Sequence, residues 1–262
     1  MQFQCLLFVL DKGGFHVVKQ NKYDDSHFFS EYKKMARSVD GLEGAGEWAI
    51  FKTLLPEFKN KDVLDLGCGF GWHCRYAREN QAKSVIGVDI SEKMLQTAQE
   101  KTDDPMITYL KIPIEEINFS DAQFDVVISS LAFHYIESFD GICEKVSQYL
   151  KPGGSFVFSV EHPIFTSRNQ QDWYYDEEGR PLHWPVDHYQ REGIRETTFL
   201  TEHVMKYHRT FSTYINDLIG AGFEINAVRE SMASEEMIKI NPEMENENRR
   251  PMFLMISAEK KT

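Results

Sequence analysis

Three glycines at alternate positions, Gly67, Gly69 and Gly71, follow directly on the apolar run Val63-Leu64-Asp65-Leu66. A turn without Cβ atoms at the carboxyl end of a strand lets a ligand lie against bare backbone. A second apolar run, Val85-Ile86-Gly87-Val88, ends in Asp89, where a carboxylate can accept both hydroxyls of a ribose. Strand, glycine turn, helix, strand and terminal carboxylate together require a sheet whose neighbouring strands are parallel.

The remaining pattern extends that alternation. Residues His27 to Ala36 repeat apolar positions at helical intervals, and Trp48, Phe51, Leu54 and Leu55 share one side of a second helix that Pro56 ends. Strands are expected at Asp62 to Leu66, Ser84 to Asp89, Met106 to Lys111 and Phe124 to Ser129, with helices at Trp72 to Glu79 and Glu92 to Lys101. Ile142, Val146 and Leu150 mark a helix stopped by Lys151-Pro152-Gly153-Gly154, and Phe156 to Val160 is the fifth strand. From Glu161 to about Thr201 the period breaks down into an aromatic run, which reads as a lid or binding insertion at about 163–203. Val204 to His208 resumes as a strand, Thr210 caps a helix to Ala221, and Glu224 to Arg229 and Met252 to Ala258 are two last strands joined by an acidic loop, Glu235 to Arg250. The fold class is α/β: a doubly wound, seven-stranded, mostly parallel sheet with helices on both faces, an N-terminal helical cap and an insertion after strand five. Residues 1–22 are a poorly defined extension, and 23–262 form one domain.

With 262 residues, 42% of them hydrophobic, the chain can bury one substantial core. A net charge of −12 without any basic cluster argues against nucleic acid as a partner. The apolar run Cys5 to Leu10 is too short for an export signal or a membrane span and reads as an isolated strand or an extended start. Cys5, Cys68, Cys74 and Cys143 lack the two-residue spacing of zinc ligands and fit reduced thiols in the cytoplasm; no metal is expected. Cys68 is read as a small residue in the turn, not as a nucleophile.

Two nucleoside cofactors use such a cradle, dinucleotides and S-adenosylmethionine. The dinucleotide fingerprint wants a small residue at position 72, where this chain has Trp72, so the motif leans to S-adenosylmethionine. Asp65, the glycine turn, Asp89 and Leu150-Lys151-Pro152-Gly153-Gly154 occur in order, and over residues 60 to 160 the chain resembles the seven-stranded S-adenosylmethionine-dependent methyltransferases, within them the branch around ubiquinone and menaquinone biosynthesis. The resemblance implies that Gly67, Cys68, Gly69 and Gly71 border the cofactor's methionine part, that Asp65 orients the turn and the amino group, and that Asp89 holds the ribose. It further implies Ile90 and Ile114 beside the adenine, the Glu115 amide at its edge, the Ser129 carbonyl on the ammonium, and Tyr32 and Arg37 near the carboxylate.

Methyl transfer is an in-line displacement that chiefly needs alignment in a dry pocket. A hydroxyl or ammonium acceptor also needs a base, for which His134, Glu161, His162 and His208 are the candidates, with plain packing as the other reading of His134. Trp173, Tyr175, Trp184 and Tyr189 form either a wall facing the acceptor or the hydrophobic anchor of the insertion. The expected activity is methyl transfer to a small metabolite by a monomer or homodimer. The alternatives are a non-catalytic S-adenosylmethionine-binding module and, further off, a nicotinamide-dependent dehydrogenase.

Overall fold

The computed structural model describes residues 20–262 together with a two-stranded antiparallel hairpin, β1 (Phe8–Asp11) and β2 (Gly14–Val17). Cys5, Leu6 and Leu7 of the first apolar run lie outside the described residues, and Phe8 to Leu10 fall in β1. Three short helices lead into the sheet: α1 (Ser26–Tyr32), α2 (Ala36–Val39) and α3 (Trp48–Leu54). The first helix expected over 27–36 is thus two pieces, because Met35 takes extended backbone with ψ 147° although neither Pro nor Gly marks the break. Gln20, inside the segment expected to be poorly defined, is bound to the body: its side-chain amide bonds Met205 through both backbone groups, at 2.7 and 3.1 Å.

Strand β3 (Asp62–Leu66), helix α4 (Trp72–Glu79), strand β4 (Ser84–Asp89), helix α5 (Glu92–Glu100) and strand β5 (Ile107–Lys111) form one wing. Strand β6 (Phe124–Ser130), helix α6 (Phe139–Tyr149) and strand β7 (Leu150–Glu161) form the other. Helix starts are satisfied locally, as by Ser91 and Ser138, whose hydroxyls accept amides of α5 and α6. The Lys151-Pro152-Gly153-Gly154 run does not separate helix from strand as expected. It is a wide bulge inside the pairing of β7 with β6, where Leu150 faces Phe124, Ser155 faces Val126, and Lys151 reaches Asp125 at 2.7 Å.

The segment expected to lack structure is built. Helix α7 (Pro163–Thr166) leads to a small hairpin, β8 (Tyr174–Tyr175) and β9 (Pro181–His183), and to a longer one, β10 (Gly193–Phe199) and β11 (Thr201–His208). Helix α8 (Phe211–Gly220), strand β12 (Phe223–Glu230), helix α9 (Glu235–Ile240) and strand β13 (Phe253–Lys260) complete the chain. The acidic segment 235–250 is therefore α9 and a 3-10 turn over Pro242–Arg249 rather than a loop, because Ser234 caps Met237.

The main sheet runs β12-β13-β7-β6-β3-β4-β5. The five strands from β7 to β5 are parallel to their neighbours, and β13 inserts antiparallel beside β7. One face buries Phe133, Phe139, Phe156, Phe158 and Tyr214 with α6 and α8, and the other buries Trp48, Phe51, Val63, Ala77 and Val126 with α3 and α4. Each such Phe contributes roughly 2–3 kcal/mol by leaving water, so the sheet is fixed from both sides. At its carboxyl edge, where β3, β4, β6 and β7 end, the glycine turn follows β3 and the insertion follows β7.

Candidate active site

The turn after β3 is tied to its neighbour. The amides of Gly67 and Cys68 both reach Val88 O at 2.9 Å, and the Gly69 amide reaches Asp89 Oδ2 at 2.9 Å. The two spots identified in the sequence are thus adjacent. Gly69 has φ +52°, and a Cβ built there would meet nothing within 4 Å, so its outer face is open. Gly71, the N-cap of α4 at φ +71°, has no such room, because a Cβ would collide with the Tyr109 hydroxyl.

Two carboxyls flank this turn. Asp65 is 1% exposed; Oδ2 accepts a bond from the Cys74 thiol at 3.2 Å, while buried Oδ1 has no partner. Burial raises this carboxyl to about 7. Asp89 Oδ1 accepts the Ser91 amide at 2.8 Å, and burial raises this group to about 6 against the pull of those amides. Burial also pushes the Cys68 thiol up to about 11, which leaves it protonated and unreactive.

Other expected residues gather around the same edge. Ile114 opens a 3-10 turn after β5, with Cδ1 3.4 Å from a Cβ built on Gly67, and Glu115 O accepts the Lys145 ammonium at 2.7 Å. Ile90 is half-buried after Asp89, and its carbonyl accepts from Asn21 at 3.4 Å. Ser129 Oγ donates to Leu66 O at 2.7 Å, locking β6 to the start of the turn. Tyr32 packs edge-on against Phe70 with centroids 5.7 Å apart. Arg37 pairs with buried Glu47, which also accepts a bond from Ser130 Oγ at 3.1 Å.

The four candidate bases separate into two pairs. His134 and Glu161 meet at the ends of β6 and β7, where His134 Nδ1 accepts the Glu161 amide at 3.4 Å. That bond puts the remaining proton on Nε2, and burial lowers the imidazole to about 4, so His134 offers a donor rather than a base. Glu161 Oε1 pairs with Lys206 at 2.5 Å, and Oε2 accepts from Gln171 at 3.2 Å. Burial pushes its carboxyl upward, but Lys206 and His134 prevail and hold it below the ordinary range. His162 points elsewhere: Nδ1 accepts the Ile164 amide at 3.0 Å as the N-cap of α7, and Nε2 meets Glu230 at 3.0 Å. His208 is equally committed, between Thr166 Oγ1 at 2.8 Å and Tyr189 O at 2.9 Å. Both are joints of the insertion in this arrangement.

Several residues around Glu161 were not singled out in the sequence. Lys206 is 1% exposed, bonds Gln171 Oε1 at 3.1 Å and lies 5.0 Å over the Phe199 ring. The alternation Val204, Lys206, His208 on one buried face of β11 is the signal that marks it. Tyr23 and Tyr135, with hydroxyls 3.4 Å apart, pack with Tyr32 between the turn and Glu161. Of the insertion's aromatics, Trp184 stacks on Phe165 at 5.1 Å beneath Arg250, with Trp173 edge-on at 5.4 Å, which is an anchor. Tyr189 is held at both ends, its hydroxyl accepting the Phe211 amide and its ring edge-on to His208 at 5.6 Å; Tyr175 is exposed.

Known proteins share this architecture. Residues 64–158 match the family model described as Methyltransferase domain. A Listeria monocytogenes structure assigned to the S-adenosylmethionine dependent methyltransferases is 55% identical, covering 85% of this chain and 100% of that one, with a TM-score of 0.81. The S-adenosylmethionine dependent methyltransferase of Mesorhizobium loti is 44% identical over 84% of this chain and 100% of its own, with a TM-score of 0.79. N-demethylindolmycin N-methyltransferase of Streptomyces griseus is 26% identical over 218 residues, 74% of this chain and 86% of that protein. The partnerless Asp65 Oδ1 and the open face of Gly69 fit the amino group and backbone-hugging chain of that cofactor. The chain belongs to the class I S-adenosylmethionine-dependent methyltransferases, enzymes with S-adenosylmethionine as cofactor.

Proposed function

We propose that this methyltransferase acts on a small metabolite, releasing S-adenosylhomocysteine, and that the acceptor sits in the chamber of His134, Glu161, Gln171 and Lys206. The observation that carries this reading is the buried Glu161–Lys206 pair, with side chains 11% and 1% exposed, at the carboxyl end of β7. Polar side chains buried so deeply where β7 ends against β11 suit a compact acceptor better than a polymer segment. The Streptomyces griseus relative is named for a small-molecule acceptor, and the acidic charge of this chain opposes nucleic acid. Among the described residues no helix is long and apolar enough to cross a membrane, and the free buried thiols Cys68, Cys74 and Cys143 suit a reducing cytoplasm.

When bound, S-adenosylmethionine supplies an electrophilic methyl on a sulfonium. Gly67, Cys68, Gly69 and Gly71 would border its methionine part, Asp65 its amino group and Asp89 the ribose. Ile90 and Ile114 would flank adenine, with the Glu115 amide at its edge and the Ser129 carbonyl toward the ammonium. Tyr32 and Arg37 would approach the carboxylate, Arg37 sharing its guanidinium with Glu47. His134 Nε2–H orients an acceptor lone pair, and Glu161, held ionised by Lys206, fixes a polar or cationic group beside it. Catalysis on this reading is alignment and exclusion of water rather than proton abstraction by histidine.

The test is incubation of the enzyme with methyl-labelled S-adenosylmethionine and separate metabolite, protein and nucleic-acid fractions. Label in a metabolite, lost with Glu161→Gln while cofactor binding persists, supports the reading. Label confined to protein or nucleic acid overturns it.

A further inference from the structure

A cleft of about 500 Å³ opens on the insertion, away from the glycine turn, lined among others by Ser167, Arg168, Asp187, His188, Arg191 and Arg195. Its charge is unlike that of the rest of the molecule. In a chain with 41 acidic residues against 29 Lys and Arg, three guanidiniums here have no carboxylate within ion-pair distance among the described residues. The one acidic lining residue, Asp187, is 70% exposed and turned to His188 at 3.7 Å.

Arg195 is the built part of this cleft. Only 8% exposed, it donates through Nε to Ser167 O at 3.0 Å, through Nη1 to Ile194 O at 3.1 Å, and through Nη2 to the His188 and Arg191 carbonyls. A guanidinium has five N–H donors, so one on Nη1 is left over. Carbonyl dipoles satisfy its hydrogen bonds but leave its full charge uncompensated, and desolvation alone lowers its affinity for the proton. Arg168 is half-buried and Arg191 exposed at the same mouth, so like charges converge where an anion would be the natural counterion.

Position links the cleft to the chamber. On β10, Arg195 and Thr197 share the buried face, and Thr197 Oγ1 donates to Gln171 Oε1 at 3.1 Å, the atom that also accepts from Lys206. Ser167 follows Thr166, the partner of His208, and Gln170, another lining residue, precedes Gln171.

We propose that this cleft binds an anionic group, a phosphate or carboxylate, and that it anchors the acidic end of the methyl acceptor while the reacting atom lies beside Glu161. The first half stands on the cleft itself. The second rests on the acceptor chamber proposed above.

Titration of the full-length enzyme with inorganic phosphate, and separately with acetate, at low ionic strength tests the cleft without any methyl transfer. Phosphate should bind, and Arg168→Ala combined with Arg191→Ala should weaken it by about tenfold or more, because each lost charge-assisted bond is worth at least a factor of ten. S-adenosylmethionine affinity of the same variant should stay within about twofold, which certifies that it is folded. Tighter phosphate than acetate assigns a phosphoryl acceptor, and the reverse a carboxylate. Absence of binding by either anion, or equal binding by the double variant, overturns the site. A cleft that binds phosphate in an enzyme whose labelled products are all neutral or cationic leaves the anion site standing and overturns only its role as acceptor anchor.

Discussion

Cofactor binding should expel protons from the glycine turn. Burial holds Asp65 at about 7 and Asp89 at about 6 in the free enzyme, so near neutral pH both carboxyls are partly protonated. An ammonium at the partnerless Asp65 Oδ1 and ribose hydroxyls donating to Asp89 favour the ionised forms, which means protons leave on binding and affinity rises with pH. At about pH 6.5 the two groups together hold about one proton, so close to one proton should be released per cofactor bound. Between about pH 7 and pH 5.5 the same pair weakens affinity about sixtyfold, and with Asp65→Asn the factor shrinks to about fourfold. Calorimetry in buffers of different ionisation enthalpy counts the protons, and Kd at each pH gives the slope. A pH-independent Kd over that range, or an Asp65→Asn variant with the full slope, would refute the assignment of these carboxyls to the cofactor.

Three further outcomes follow from particular contacts. Gly69→Ala costs about 1 kcal/mol of fold stability from its positive φ, with no clash, yet should abolish tight cofactor binding by filling the open face, as melting and calorimetry will show. Lys206→Met leaves Glu161 buried without its cation and should lose about 3–5 kcal/mol in denaturant titration, most of it recovered by adding Glu161→Gln. His162→Ala removes the cap of α7 and should lower stability by about 1 kcal/mol while kcat at saturation holds; a steep loss of kcat with unchanged stability would return His162 to the list of bases.

The centre of the fold was legible and its rim was not. Strands β3 and β4 were bounded correctly from sequence because they are buried on both faces and end in a glycine turn and a carboxylate. Val204 to His208 of β11 was expected as a strand, but its partner β10 and their pairing escaped because the hairpin turn is made by Leu200 at φ +61°, without the Gly or Asn that announces such geometry. The break at Met35 is silent for the same reason, lacking any punctuating residue. Within the site, Asp65 and Asp89 were readable as strand-terminal carboxylates, whereas Lys206 looks like a surface residue unless the alternation along β11 is followed through. His162 and His208 drew attention by residue type, but which side of a strand end they take depends on Glu230 and Tyr189, partners distant in sequence.

The packing of Cys68 and Cys74 against Gly87, where a Cβ would lie 2.9 and 2.8 Å from the two sulfurs, gives the enzyme an internal clock. A protonated thiol 6% exposed cannot meet an alkylating reagent while the turn is closed. Capture of Cys68 by a maleimide therefore requires the turn to open, and a bound cofactor should slow that capture by a factor set by its occupancy.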